Sequence, residues 1–222
     1  MKIPTLIEAA VESLNAALAA AEGGAQRLEL CVDLAHGGTT PPIELIRDTV
    51  ARVPLPVFVL VRPRAGDFVY SGDEHRAMLE QIRKAKQAGA RGIVTGALTA
   101  AREIAAARTI ALISAARPLP VTFHRAFDEC ADQPAALETL IAHGVDRVLT
   151  SGGAPNAAEG AERIAALVRQ AAGRIGILPG GGIDASNVAT LVGVTMVREI
   201  HFSVKDAKKV REVIRALKET TC

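Results

Sequence analysis

Tryptophan is absent from the 222 residues, and only one Tyr and five Phe are present. Few rings are available to stack unpaired bases, which argues against a single-strand or RNA-binding platform. A charge excess of either sign is missing too. The 26 basic and 24 acidic residues leave a net charge of +2, too little for a broad field that gathers phosphate backbone or anionic lipid. Nucleic acid and membrane are therefore not expected partners. No apolar run approaches a membrane span. The first ten residues carry one Lys and one Glu and lack the greasy middle and cleavage site of a secretory signal. Cysteine is scarce as well: Cys31, Cys130 and Cys222 form an odd, widely spaced set. That argues against a disulfide framework and for a reducing compartment, so the expected location is cytoplasmic.

What is present is a regular alternation. The chain is 49% hydrophobic and 23% charged, enough for one large core, and α/β barrels fill this length as one domain. Short β-branched runs alternate with Ala-rich segments of helical period. The strands are expected near 6–11, 27–31, 57–61, 92–95, 121–124, 147–150, 175–178 and 197–201. Helices are expected at 12–21, 43–51, 73–88, 102–115, 134–143, 157–171, 185–192 and 206–218. Eight strand-helix pairs predict an α/β protein in which residues 1–222 form a single (β/α)8 TIM barrel domain. Gly24, Gly89, Gly144 and Gly193 recur just before the even-numbered strands, where a left-handed helix C-terminus wants glycine. Pro56 and Pro120 open the third and fifth strands. A doubly wound open sheet is the competitor, but Val11-Glu12-Ser13-Leu14 stands where its glycine fingerprint belongs.

Side chains two apart share one face of a strand, and the polar residues fall into one such set: Glu8, Glu29, Arg62, His124, Glu199 and His201. Their neighbours Ala9, Leu28, Leu30, Val61, Phe123 and Ile200 are apolar and suit packing under helices. Burying charges is costly unless they are paired or liganded, so Glu8 and Glu29 are read equally as a self-satisfied salt-bridge network or as part of a ligand site. Arg62, His124 and His201 end their strands, at the mouth where barrels place their sites. Asp67 and Asp128, in loops just beyond Arg62 and His124, are placed to fix a guanidinium or an imidazole tautomer, or to serve as ordinary loop acids. These eight are the candidate catalytic residues. Gly180, Gly181 and Gly182 after the seventh strand and Ser151 after the sixth, with Arg64, are the candidate anion-holding residues, since glycine lets backbone N–H groups approach an anion.

The motifs Gly23-Gly24-Ala25-Gln26-Arg27-Leu28-Glu29-Leu30-Cys31, Gly37-Gly38-Thr39-Thr40-Pro41, Arg62 to Tyr70, Val121 to Asp128, Arg147 to Gly152, Pro179 to Ile183 and Glu199-Ile200-His201 resemble the CutC family over nearly the whole chain. The resemblance implies a (β/α)8 barrel, a cytoplasmic location and a link to copper tolerance with Cu(I) binding through cysteine. The sequence departs from the family in three places. Ala10 stands where members commonly carry Cys. His36 replaces a Glu before the Gly-Gly-Thr loop. Phe202-Ser203-Val204-Lys205-Asp206 passes almost directly from the last strand to the last helix.

Two functions follow. One is copper handling, with Cu(I) on Cys31 and support from His; it is expected to be weaker here than in members with the second thiol. Cys130 also falls near the mouth, and Cys222 is expected to be irrelevant. The other is an enzyme acting by Glu and His acid-base chemistry on a small anionic, phosphorylated or sugar-like substrate. Either way the expected partner is a small-molecule anion or a copper ion. The Ala-rich helical surfaces leave room for a homo-oligomer.

Overall fold

The computed structural model describes residues 5–219; Cys222 lies outside them. Eight parallel strands, β1 (Leu6–Val11), β2 (Arg27–Leu30), β3 (Val57–Leu60), β4 (Gly92–Thr95), β5 (Val121–Phe123), β6 (Arg147–Thr150), β7 (Gly176–Pro179) and β8 (Glu199–Ser203), form one sheet. The order runs from β7 back to β1 and on to β8. A parallel bridge from Gly180 to His201 joins β7 to β8, so the sheet curls into a (β/α)8 TIM barrel. Between and after the strands lie α1 (Leu14–Gly23), α2 (Ile43–Arg52), α3 (Gly72–Gln87), α4 (Ala106–Ala116), α5 (Gln133–Ala142), α6 (Ala161–Ala171), α7 (Val188–Thr195) and α8 (Ala207–Glu219). No helix among the described residues is long and apolar enough to cross a membrane.

The strands are short and buried on both faces, as a parallel sheet under a ring of helices requires. Small residues set how close the helices come. Ala16, Ala17, Ala20 and Gly23 are the buried positions of α1, and a Cβ on Gly23 would lie 2.7 Å from the Cβ of Val210, so α1 and α8 meet almost backbone to backbone. Ser13 accepts from the Ala16 N–H and Asp132 from the Ala135 N–H, capping α1 and α5 as Ser and Asp do at such positions.

Several boundaries differ from expectation, each for a local reason. Gly193 lies inside α7, and Met196, at φ 57°, takes the left-handed terminal position instead. Helix α4 starts at Ala106 rather than 102 because Leu98 and Ile104 pair in a small antiparallel bridge, with Arg102 left-handed between them. Helix α6 starts at Ala161 rather than 157. The chain first passes Gly160 against β6, where a Cβ would come within 1.8 Å of the Ser151 carbonyl. Strand β8 begins two residues later than 197, and only three residues separate it from α8. That short link brings the first turn of α8 to the barrel mouth.

Candidate functional site

The barrel interior is built around one ring. Phe58 on β3 fills the space left by Gly92, where a Cβ would meet its ring at 2.5 Å. The guanidiniums of Arg27 and Arg147 both lie over that ring, 5.1 and 5.4 Å from its centroid. A ladder of ion pairs continues from them. Arg147 Nε donates to Glu199 Oε2 at 3.0 Å, and Arg27 Nη2 donates to the same oxygen at 2.5 Å. Arg27 Nε donates to Glu8 Oε2, and the other oxygen of Glu8 bonds His201 Nδ1 at 2.8 Å. Strand register makes this possible, since Glu8 is the Cα partner of Arg27 on one side and of His201 on the other. Gly176 leaves room for the Arg147 and Glu199 side chains, which would lie 3.0 and 3.2 Å from a Cβ there.

Glu29 stands one step nearer the mouth, beside Ala10. It is 4% exposed, its Oε2 has no hydrogen-bond partner among the described residues, and it lines the cleft. Burial pushes its carboxyl up to about 7, against the pull of the His201 charge. Burial would push Glu8 up as well, but the hydrogen bond from His201 and the Arg27 charge bring it down to about 2. Burial opposes the protonation of His201, yet the nearby Glu29 and Glu8 carboxylates raise its pKa above the ordinary value. With Glu8 holding Nδ1, Nε2 is the imidazole nitrogen left for the cleft. Glu8, Glu29 and His201 can bring one donor atom each within 4.8 Å of one another.

The opposite wall is organised differently. Arg62 donates from Nη1 to the carbonyls of His36 (3.1 Å) and Gly38 (2.8 Å) and from Nη2 to that of Gly66 (2.7 Å). It thus ties two loops together, and its guanidinium lies 4.8 Å over Phe68. His124 packs on the same Phe68 at 4.8 Å. Its Nδ1 accepts the Ala126 N–H at 3.2 Å, and its Nε2 is buried without a partner among the described residues. Burial, with help from the Arg62 charge, pushes its pKa down to about 3. Asp128 accepts from the Thr150 hydroxyl (2.5 Å), from the backbone of Ser151 (3.0 Å) and Gly153 (3.0 Å), and from Arg125 Nε (2.8 Å).

Between the two walls opens a cleft of about 580 Å³, a size that suits a small molecule. Of the sequence candidates, Glu29, Arg62, His124, Asp128, Gly181, Gly182 and His201 line it. Glu8 and Glu199 lie behind it in the ladder. Ser151 lies beside it, bonded to Asp128 and Arg125. Gly180 packs on His201, which a Cβ would meet at 3.1 Å. Arg64 and Asp67 stand apart, paired with each other at 3.0 Å. Cys31 is fully buried, its Sγ donating to the Val11 carbonyl at 3.7 Å. Burial and the Glu29 and Glu12 carboxylates push that thiol far up.

Arg27, Arg147, Arg125 and Lys209 join the site without having been singled out in the sequence. Arg27 and Arg147 were legible, because the alternation that picks Glu29 runs back to 27, and 147 opens a strand of the same kind. Arg125 and Lys209 sit in a 3-10 turn and a helix start, where no alternation points to them.

The CutC family model matches residues 5–206. The copper homeostasis protein cutC homolog of Homo sapiens is 46% identical over 203 residues, 91% of this chain and 74% of that protein. The family protein CutC of Pasteurella multocida is 48% identical over 199 residues, 90% of this chain and 82% of that protein. A crystal structure of CutC from Streptococcus agalactiae superposes with a TM-score of 0.85 at 34% identity, covering 89% of this chain and 98% of that one. By sequence and by structure, the chain belongs to the CutC family.

Proposed function

We propose that the cleft is an enzyme active site in which Glu29 and His201 move protons on a small anionic substrate. The observation that carries this reading is Glu29: a buried carboxyl with an unpartnered oxygen on the floor of an open cleft, beside an imidazole. A carboxyl held near 7 exchanges a proton readily at neutral pH, which is what a general acid or base needs. His201, held through Nδ1 by Glu8, presents Nε2 as its counterpart. The Arg27, Glu199 and Arg147 ladder positions Glu8 and does not meet the substrate. Arg62 has both Nη atoms on carbonyls, so the role of anion holder falls to Arg125, which lines the cleft. A cytoplasmic location suits the two buried free thiols.

Copper as cargo is the second reading, favoured by the names of the human and mouse relatives. The residues fit Cu(I) poorly. Cu(I) takes soft sulfur, whereas Ala10 offers none and the Cys31 thiol is neutral and spent on a carbonyl. Glu8, Glu29 and His201 are harder donors, and both Glu8 oxygens are already bonded.

The test is a thermal-shift search over phosphorylated sugars, carboxylates and Cu(I), followed by turnover assays on the anions that stabilise the fold. Glu29→Gln is expected to lower kcat by about 10²-fold or more with little change in KM. Unchanged turnover in Glu29→Gln would remove the acid-base reading.

A further inference from the structure

We propose that the substrate carries a phosphate monoester, and that its phosphate sits on the loop after β7, held by the N–H groups of Gly181, Gly182 and Ile183 with Arg125 and Lys209. This rests on the active-site reading above and names the group by which the substrate is held.

The loop is anchored through its carbonyls. Gly181 O accepts from the Ala157 N–H at 2.9 Å and Gly182 O from Asn187 Nδ2 at 2.8 Å. The N–H groups of Gly181, Gly182 and Ile183 have no acceptor among the described residues, and all three residues line the cleft. Three successive backbone donors without acceptors, on residues at φ 101° and 72° that a side chain would strain, make an anion cradle.

Arg125 adds charge at a fixed place. Its Nε is held by Asp128 at 2.8 Å and its Nη2 donates to the Ser151 hydroxyl at 2.9 Å. Nη1 is left without an acceptor among the described residues, 3.4 Å from where a Gly181 Cβ would stand. Lys209, in the first turn of α8, lines the same rim because the link after β8 is so short. Three carboxylates line this side of the cleft: Asp128 is tied down by Thr150, Ser151 and Gly153, Asp184 by the Ser186 backbone and hydroxyl at 2.8 and 2.5 Å, and Glu129 is exposed to solvent, where its charge is screened. Five donors on residues that line one cleft, from a loop, a 3-10 turn and a helix, with the Lys209 ammonium 5.5 Å over the Phe202 ring, suit the three oxygens of a phosphate better than the two of a carboxylate. The arrangement also orders the substrate: phosphate at the β7 and α8 rim, reacting carbon toward Glu29 and His201.

The test is calorimetric titration of the full chain with inorganic phosphate at low ionic strength, with sulfate and acetate alongside. Phosphate should bind, acetate at least about tenfold more weakly, and Arg125→Gln should weaken phosphate about tenfold or more. Lys209→Glu tests the same rim from a surface position and guards against Arg125→Gln simply loosening its loop; it should weaken phosphate by a similar factor. Glu29→Gln should bind phosphate at least as tightly as wild type, because it removes a carboxylate and no donor. No phosphate binding, or equal affinity in wild type, Arg125→Gln and Lys209→Glu, overturns the proposal. If phosphate fails while Glu29→Gln still abolishes turnover of a carboxylate substrate, the phosphate site falls and the active site stands. If phosphate binding depends on Arg125 while Glu29→Gln leaves turnover intact, the active-site reading falls instead.

Discussion

The two walls of the barrel mouth carry the same kinds of residue and use them in opposite ways. On the β1, β2 and β8 side, Glu199, Arg27, Glu8 and His201 pair charge with charge in series, and Glu29 stands beside the series, its Oε2 without a partner among the described residues. On the β3 and β5 side, Arg62 is spent on loop carbonyls and His124 is buried neutral against Phe68. Both walls hold a buried polar atom without a partner among the described residues, Glu29 Oε2 on one and Arg62 Nε and His124 Nε2 on the other; the walls differ in what their bonded atoms hold, carboxylates on the first and loop carbonyls or a backbone N–H on the second. Alternation alone does not separate them; the partner of each polar atom does.

The largest effect should come from breaking the charged wall at its centre. Arg27→Met leaves Glu8 and Glu199 without the guanidinium between them, and stranding one partner of a buried ion pair costs about 3–5 kcal/mol. The urea midpoint should fall accordingly. A loss below about 1 kcal/mol would show that the ladder behaves as a solvated surface network. The matching cut on the other wall is smaller. Arg62→Met frees three carbonyls, some of which water can reach, so about 1–3 kcal/mol is expected, with faster amide exchange confined to residues around 36–38 and 66. Anion affinity should hold in Arg62→Met, which separates a clamp from a ligand holder.

Glu29 on one wall and His124 on the other should also titrate in opposite senses, while Glu8, held down at about 2, contributes stability that is lost in acid. Folded Glu29 keeps its proton up to about 7, while its ordinary value is 4.5. Between those values the folded state binds more protons, so the Glu29 contribution to stability falls as pH rises through the window. Folded His124 is down at about 3 against an ordinary 6.5. Between those values the unfolded state binds more protons, so this wall loses stability as pH falls. Glu29→Gln should therefore be more stable than wild type at pH 8, by about 3 kcal/mol, and much less so at pH 4. His124→Asn, which keeps an acceptor for the Ala126 N–H, should instead resist acid unfolding. If both variants flatten the same limb of the stability profile, the two walls are not distinct.

Much of the barrel was legible in the sequence because it depends on local rules. Alternation located the strands, and the left-handed glycines 24, 89 and 144 mark helix ends as expected. Gly193 misled because a glycine can also lie inside a helix when the chain has room to continue, as it does to Met196. Of the site, the inward set was visible by period. The division of labour was not, because it depends on distances across the barrel: Arg62 differs from Arg27 by what lies opposite, carbonyls rather than carboxylates. Arg125 and Lys209 were invisible for a related reason. Each reaches the cleft from an irregular turn or a helix start, and only the short link before α8 puts Lys209 there.

The smallest effect bears on copper. Cys31 is on the charged wall but takes no part in its ladder; with Phe58, Leu60 and Val94 it forms a small apolar cluster inside the barrel. Cys31→Ser keeps a donor for the Val11 carbonyl, so its stability cost should be about 1 kcal/mol or less. In competitive Cu(I) titration under reducing conditions it should bind no more weakly than wild type, since releasing the thiol proton beside Glu29 and Glu12 is opposed by burial and by both charges. Ala10→Cys restores a second sulfur two positions away on the neighbouring strand's inward face, and Cu(I) is content with two soft ligands. That variant should tighten Cu(I) about tenfold or more, and the gain should vanish in the double variant Ala10→Cys with Cys31→Ser. A steep loss of Cu(I) affinity in Cys31→Ser alone would reverse the assignment: the thiol would then be the working group of this wall, and the Glu29 carboxyl its neighbour.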